Sequence, residues 1–484
     1  MHQLFLLLAL LPSFAWAELP SPLKTALQAN QLPPSAYTIL LERVDGSERR
    51  LDENTTQAMN PASVMKLVTS FAALDLLGQG FTWRSELRAD QSPVKNILQG
   101  NLYLKGNGDP KLTQENLWLL LRQLRLRGVR EIRGNLLADR SAFALPPHDP
   151  ANFDGEGLRP YNAGADALLV NYAVQRFILF PAPDKKHVIV VQESAEKPLP
   201  LNNQLRVASG ECTDWREGIK VVLQTNGLTL TGQYPLSCGE KKLGLNLLSP
   251  DQQLDSLFRS LWKELGGTWH GILQNSPSPK ESLLLAELDS PPLASVLRDV
   301  NKFSNNVMAR QVFLSLSAEA PATYEKAAHR VHESLQRHGI IAPELRIENG
   351  AGLSRQDRIS ADTLASVLRA AWRSPFMPEF IASLPVWGED GTVKKRGNSH
   401  SRGRAHLKTG YIEGVRALAG YLHNPQGERW IFIVLINHPN AQQSKAALDT
   451  LLEWSLESIN APMVINPIAP IKHQPAASRP RPSQ

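Results

Sequence analysis

Leu67-Val68-Thr69-Ser70-Phe71-Ala72-Ala73-Leu74-Asp75-Leu76-Leu77 is almost wholly apolar and stops at Gly78. A helix of this composition has no polar face to give to water, so the rest of the chain must enclose it on most sides. Asn60 suits its N-cap, Pro61 its first position, where the missing N–H costs nothing, and Gly78 its C-terminal cap. Ser63 and Lys66 then fall three residues apart on one face of the first turn. Burial lowers a lysine's pKa, so the Lys66 amine can act as base toward the Ser63 hydroxyl. Early in a helix the Ser63 N–H has no internal partner and can point at a developing oxyanion. Ser63 is the candidate nucleophile.

Spacing alone is a weak signal. The same S-x-x-K pattern occurs at Ser21/Lys24, Ser92/Lys95 and Ser194/Lys197, but Pro22 and Pro93 interrupt two of these and Pro198 follows the third. What separates Ser63/Lys66 is the buried helix behind it, together with two distant partners. Ser304-Asn305-Asn306 lies in a helical region (Pro291 to Leu316) and sets a hydroxyl beside an amide. The hydroxyl can relay a proton to a leaving amine, and the amide can hold a substrate carbonyl or the lysine. Ser458-Ile459-Asn460 has the same form, so this triplet also needs support. Lys408-Thr409-Gly410 is the only K-T-G, ahead of a strand expected at Ala417 to His423. Its cation and hydroxyl suit a carboxylate, and its glycine admits substrate close to the backbone.

The 484 residues carry 42% hydrophobic and 20% charged side chains, an ordinary globular balance with room for more than one domain. Leu4 to Leu11 followed by Ala15-Trp16-Ala17 reads as a secretory signal cut after Ala17, and no later stretch reaches the length of a membrane span. In an oxidising compartment Cys212 and Cys238, the only cysteines, pair most simply as a disulfide; two buried thiols are the alternative. No metal or cofactor is expected: His329 and His332 share a helix face, but charged neighbours mark it as solvated. The net charge of +6 is modest, and no basic helix with interleaved aromatics points to nucleic acid. Lys394-Lys395-Arg396 with Arg402 and Arg404 could attract an anionic polymer or sit as a solvated loop.

Along the chain, a helix at Leu23–Gln31 precedes a strand at Ala36–Val44 that turns at Asp45-Gly46. Near Phe81 the texture changes to short strands (Trp83–Ala89, Gly100–Leu104, Ile132–Ala138) around an amphipathic helix, Glu115–Arg127. A Pro/Gly/Asp-rich connector spans Ala142 to Pro160. Strand-like runs follow from Leu168–Leu179 to Leu228–Gly232 and read as a small all-β module that a Cys212–Cys238 bridge would staple. Helix returns at Asp251–Leu265, then a strand at Ser282–Leu288. Helices (Tyr324–Arg337, Ala361–Trp372, Ala446–Ser458) and strands complete an α+β layout, one domain split by a long insertion. The Pro-rich tail is expected to be disordered.

S-x-x-K, S-x-N and K-T-G in this order form the signature of serine β-lactamases and penicillin-binding proteins, with Asn305 in place of the usual aspartate. Four further stretches narrow the resemblance: Gly106-Asn107-Gly108-Asp109-Pro110, Ala138-Asp139-Arg140-Ser141-Ala142-Phe143, Glu348-Asn349-Gly350-Ala351-Gly352-Leu353-Ser354-Arg355, and Lys408-Thr409-Gly410 itself. An insertion of roughly 200 residues, longer than a β-lactamase needs, separates the first two motifs. Over nearly the whole mature chain the sequence resembles class C low-molecular-mass penicillin-binding proteins, the D-alanyl-D-alanine carboxypeptidase/endopeptidases of penicillin-binding protein 4 type.

The resemblance implies a split transpeptidase-like catalytic domain (18–80 and 280–461), interrupted by an α+β domain (81–160 and 246–279) and a β-rich domain (161–245). The signal (1–17) and tail (462–484) lie outside these. It implies a serine D,D-peptidase of peptidoglycan, periplasmic and inhibited by penicillin. Ser63 would attack and Lys66 act as base; Ser304 would pass the proton to the leaving amine, and Asn306 would orient the substrate amide. Lys408 and Thr409 would bind the terminal carboxylate, with Gly410 giving access and the N–H groups of Ser63 and Tyr411 forming the oxyanion hole. Family members more often carry Thr or Ser where Tyr411 stands. A pocket for the third residue's side chain is matched by Arg355, with Asp154 or Glu156 as its acidic partner. The competing expectations are a β-lactamase or esterase on the same fold, which the long insertion and missing deacylation-glutamate motif oppose, and a non-catalytic wall-binding scaffold, which three intact motifs oppose.

Overall fold

A computed structural model describes residues 19–193, 199–224 and 227–460. The expected signal and tail lie outside these residues.

The sheet that carries the catalytic unit is antiparallel and five-stranded, in the order Ala405–Ile412, Val415–His423, Arg429–Asn437, Tyr37–Arg43, Arg49–Glu53. The first strand of the chain pairs with the last, Tyr37 opposite Ile436, so the two ends of the sequence close one unit across the insertion. Strand side chains alternate between faces. Ile431, Ile433 and Leu435 pack with the helices Lys66–Leu77, Leu293–Lys302, Asn306–Leu314, Tyr324–Arg337 and Ala361–Arg373, while Trp430, Phe432, Val434 and Ile436 pack with Ser21–Ala29 and Lys445–Ser458. Being covered on both faces, this strand is apolar from Trp430 to Ile436. As its composition demands, the helix behind Ser63 is enclosed: every residue from Lys66 to Leu74 is buried.

The inserted α+β domain is a second five-stranded sheet, ordered Leu273–Asn275, Leu136–Asp139, Leu102–Lys105, Arg84–Ala89, Leu283–Asp289, under helices Gln114–Leu126 and Pro250–Glu264. Leu283–Asp289 pairs with Arg84–Ala89. It therefore belongs to the inserted sheet, and a catalytic segment beginning at 280 starts too early. The expected strand Ile132–Ala138 is divided, Glu131–Ile132 and Leu136–Asp139 joining different sheets. Of the expected strand Leu168–Leu179 only the stretch from Gln175 is strand, because Asn171, Tyr172 and Ala173 all take left-handed backbone.

The β-rich domain is a pair of three-stranded sheets around a small core that includes Phe177, Leu179, Leu205, Leu230 and Tyr234. Cys212 and Cys238 are joined as a disulfide at the edge of that core. Among the described residues no helix is long and apolar enough to cross a membrane.

Candidate active site

Ser63 sits in a 3-10 turn, Ala62–Met65, that runs into the α-helix Lys66–Leu77. Side chains three apart eclipse in a 3-10 turn, and Lys66 Nζ donates to Ser63 Oγ at 3.0 Å. Neither Asn60 nor Pro61 takes the role expected from the sequence. Asn60 Oδ1 accepts the Ala62 N–H at 2.8 Å and its side-chain amide donates to Ser354 O, so it ties loops together instead of capping the helix; Pro61 precedes the turn. The cause is the backbone of Ala62, left-handed at φ 46 and hence strained for a residue with a Cβ. Two glycines hold it in place. A Cβ on Gly352 would fall 1.9 Å from Ala62 O, and one on Gly410 would fall 2.4 Å from Pro61 O.

Lys66 is fully buried, and its acceptors are all neutral: the Ser63 hydroxyl, Asn306 Oδ1 at 2.7 Å and Ala351 O. Burial, followed by the Lys408 and Arg310 cations, holds its pKa well below the ordinary lysine range, against an opposing pull from Asp357. Lys66 is thereby suited to accept a proton.

The helical region expected from Pro291 to Leu316 is two helices, Leu293–Lys302 and Asn306–Leu314. Ser304 lies in the break with φ 54, and Asn305 caps the second helix by accepting the Met308 N–H. Lys408 Nζ donates to Ser304 Oγ at 2.8 Å and to Thr409 O at 2.9 Å. Lys408-Thr409-Gly410 lies inside the strand Ala405–Ile412, which itself precedes the expected strand, found at Val415–His423. Burial pushes the Lys408 pKa down to about 7. Thr409 Oγ1 is 2.9 Å from Thr392 Oγ1, which pairs the two hydroxyls. Tyr411 is 54% exposed at the rim, with the Arg416 guanidinium 4.2 Å from its ring centroid.

Arg355 lies over the Phe153 ring at 5.0 Å and donates to Glu413 O at 2.8 Å and Glu413 Oε2 at 3.2 Å. Its acidic partner is thus Glu413, in the turn after strand Ala405–Ile412, and neither Asp154 nor Glu156. Asp154 accepts instead from Tyr161 OH and Asn162 Nδ2, and Glu156 pairs with Arg159. Within the basic 394–404 loop Arg396 pairs with Asp449, Arg402 with Glu389, and Arg404 donates to Asn460, while Lys394 and Lys395 are exposed.

Sequence reasoning missed Tyr161, Arg310, Asp357 and Thr392. Arg310 left a trace, as a lone cation one turn after Asn306 in the otherwise apolar run Val307 to Leu314, Gln311 excepted. Tyr161 and Thr392 sit in single 3-10 turns and Asp357 in a loop, all too short for periodicity.

A profile described as the D-Ala-D-Ala carboxypeptidase 3 (S13) family matches residues 19–456. The chain belongs to that family. Among its relatives, the "D-alanyl-D-alanine carboxypeptidase" of Actinomadura sp. (strain R39) is 28% identical over 417 residues, covering 83% of this chain and 77% of its own. The "D-alanyl-D-alanine carboxypeptidase DacB" of Haemophilus influenzae is 26% identical over 392 residues, covering 80% and 82%. The crystal structure of penicillin binding protein 4 (dacB) from Haemophilus influenzae shares the fold, with TM-score 0.74 and 24% identity over 90% of this chain and 99% of that one. The family inferred from the motifs and the α+β fold are therefore those found.

Proposed function

We propose that the protein is a serine D,D-peptidase that cleaves the D-Ala–D-Ala bond of peptidoglycan stem peptides through an acyl-enzyme on Ser63. The observation that carries this is the pair of buried lysines, each holding one of the two active-site hydroxyls: Lys66 on Ser63 and Lys408 on Ser304.

Ser63 Oγ attacks the carbonyl carbon and its proton passes to Lys66 Nζ. The oxyanion lies against the N–H groups of Ser63 and Tyr411. Collapse breaks the C–N bond. Ser304 Oγ hands its proton to the departing amine and is reprotonated from the Lys66 side of the site, which leaves an ester on Ser63. Water then adds to the ester, releases the shortened peptide and restores the hydroxyl. Asn306 holds Lys66 and the substrate amide, while Lys408, Thr409 and Thr392 face the free carboxylate.

Penicillin offers the same carbonyl and carboxylate, but its leaving nitrogen stays tethered, so the adduct persists. One Haemophilus influenzae relative has been solved complexed with a β-lactam. The N-terminal segment ending at Ala17 would export the enzyme to the periplasm, where this substrate lies. Arg355, Phe153 and Glu413 would line the side-chain subsite.

The test is release of D-alanine from a stem pentapeptide, and of the two separate stem peptides from a cross-linked muropeptide, by wild type and Ser63→Ala. Release by wild type only is expected. Release by both proteins, or by neither when both are folded, would contradict the assignment.

A further inference from the structure

The strand that carries Lys408 lies at the edge of its sheet, and a strap from Pro385 to Val393 runs beside it. Pro385 O accepts the Leu407 N–H and the Trp387 N–H donates to Ala405 O, both at 2.9 Å. The strap then turns at Asp390-Gly391-Thr392 and brings Thr392 Oγ1 to 2.9 Å from Thr409 Oγ1. Of the 3-10 turn Gly391–Val393 only Val393 is buried, so packing alone holds it weakly.

Two contacts with the end of the helix Leu293–Lys302 fix that turn. Lys302 is 5% exposed and donates from Nζ to Asp390 Oδ2 at 2.6 Å, while Asp390 Oδ1 accepts the Val386 N–H at 2.8 Å and closes the strap on itself. Gly391 has φ 58, and a Cβ there would fall 2.6 Å from Lys302 O, so the turn lies directly against the helix end. The helix end has a separate anchor. Asn301 Nδ2 donates to Ser70 Oγ at 3.0 Å, on the helix behind Ser63, and to Ser383 Oγ at 2.9 Å, on the helix Met377–Ser383 that leads into the strap. Ser304 follows Lys302 by two residues and keeps this anchorage whether or not Lys302 is paired. A buried ion pair adds little stability over apolar side chains of the same size. What this one fixes is a distance.

We propose that Lys302 and Asp390 are positioning residues for the carboxylate subsite: their ion pair sets Thr392 against Thr409, so that both hydroxyls join Lys408 in taking the free carboxylate of the substrate. The inference rests on the D,D-peptidase reading, in which that carboxylate is the peptide's terminus. Neither residue touches substrate; both act through the Thr392 hydroxyl. The acylating half of the site does not depend on them, because Lys66 bonds to Ser63, Asn306 and Ala351 O and to no group of the strap.

The test is steady-state kinetics on a stem pentapeptide, and on the same peptide amidated at its C-terminus, for wild type, Asp390→Asn, Lys302→Met and Thr392→Val. Each variant is expected to raise KM for the free-acid peptide about tenfold, with kcat within about twofold of wild type and no change toward the amidated peptide. Lys302→Met fills the buried position with an apolar side chain and should keep the fold. Added to Thr392→Val, Asp390→Asn should cost less than about a further twofold, since the hydroxyl through which it acts is already gone. Equal losses on both peptides, a fall confined to kcat, or full additivity with Thr392→Val would make the pair structural only and overturn the proposal. Should Asp390→Asn not fold, Lys302→Met decides by the same criteria; should the amidated peptide react too slowly to read, the KM-against-kcat split and the additivity decide. Failure of wild type to release D-alanine from the free-acid peptide would instead sink the D,D-peptidase reading.

Discussion

Lys408 Nζ donates to Ser304 Oγ at 2.8 Å, joining two motifs 104 residues apart through one hydrogen bond. Because the pair acts together, Ser304→Ala and Lys408→Met should each lower kcat/KM toward a D-Ala-D-Ala peptide by about a hundredfold or more, and the double variant should be little worse than the poorer single one. Fully additive losses, measured by steady-state kinetics, would show that the two residues act separately.

Lys408 also sets a pH dependence with a definite sign. Its pKa is about 7 in the folded protein and about 10.4 in an unfolded chain. Between these values the unfolded chain binds the additional proton, so this residue's contribution makes stability rise with pH across that window. Lys408→Met should therefore melt above wild type at about pH 6, with the gap closing toward about pH 10. A variant that melts lower at every pH, by calorimetry, would mean that the bonds of Lys408 outweigh its burial. In catalysis the same titration gives the alkaline limb. KM for a carboxylate-ended peptide should climb above about pH 7 as the cation is lost, while that for an amide-capped substrate stays level.

The strained turn before Ser63 depends on glycines. Alanine at Gly352 would set a Cβ 1.9 Å from Ala62 O, at a φ of +73. Gly352→Ala should cost at least tenfold in acylation and about 1–3 kcal/mol in stability. Gly80, which has open space around it and no left-handed backbone, is the control: Gly80→Ala should change neither. Wild-type acylation by Gly352→Ala would show that the turn tolerates displacement.

The disulfide is expected to matter for stability and not for chemistry. Cys212 and Cys238 are 26 residues apart and pack in the core of the β-rich domain, separate from the cluster around Ser63. Replacing both with serine should cost about 2–4 kcal/mol in that domain and leave the acylation rate as in wild type. A slowed reaction would show that this domain supports the site.

What the sequence made legible was what burial forces into composition. The helix after Ser63 stands out because an element enclosed on all sides cannot carry a polar face, and Arg429–Asn437 stands out for the same reason. The strand holding Lys408 was hidden. A buried lysine, a threonine and a glycine interrupt its apolar pattern, so the motif reads as the approach to a strand. The break at Ser304 was hidden too, because a left-handed serine has no composition signal. The Arg355–Glu413 pair needs the turn between two strands to lie against a loop 58 residues away, and no local pattern records that contact.

The central claim is that Ser63 is the acylated nucleophile. It is tested most directly by incubating the purified protein with penicillin, digesting it, and locating the added mass on a peptide. The account predicts a stable adduct on the peptide carrying Ser63 and none in Ser63→Ala. An adduct on any other residue, or rapid consumption of penicillin with no adduct on a folded protein, would contradict it.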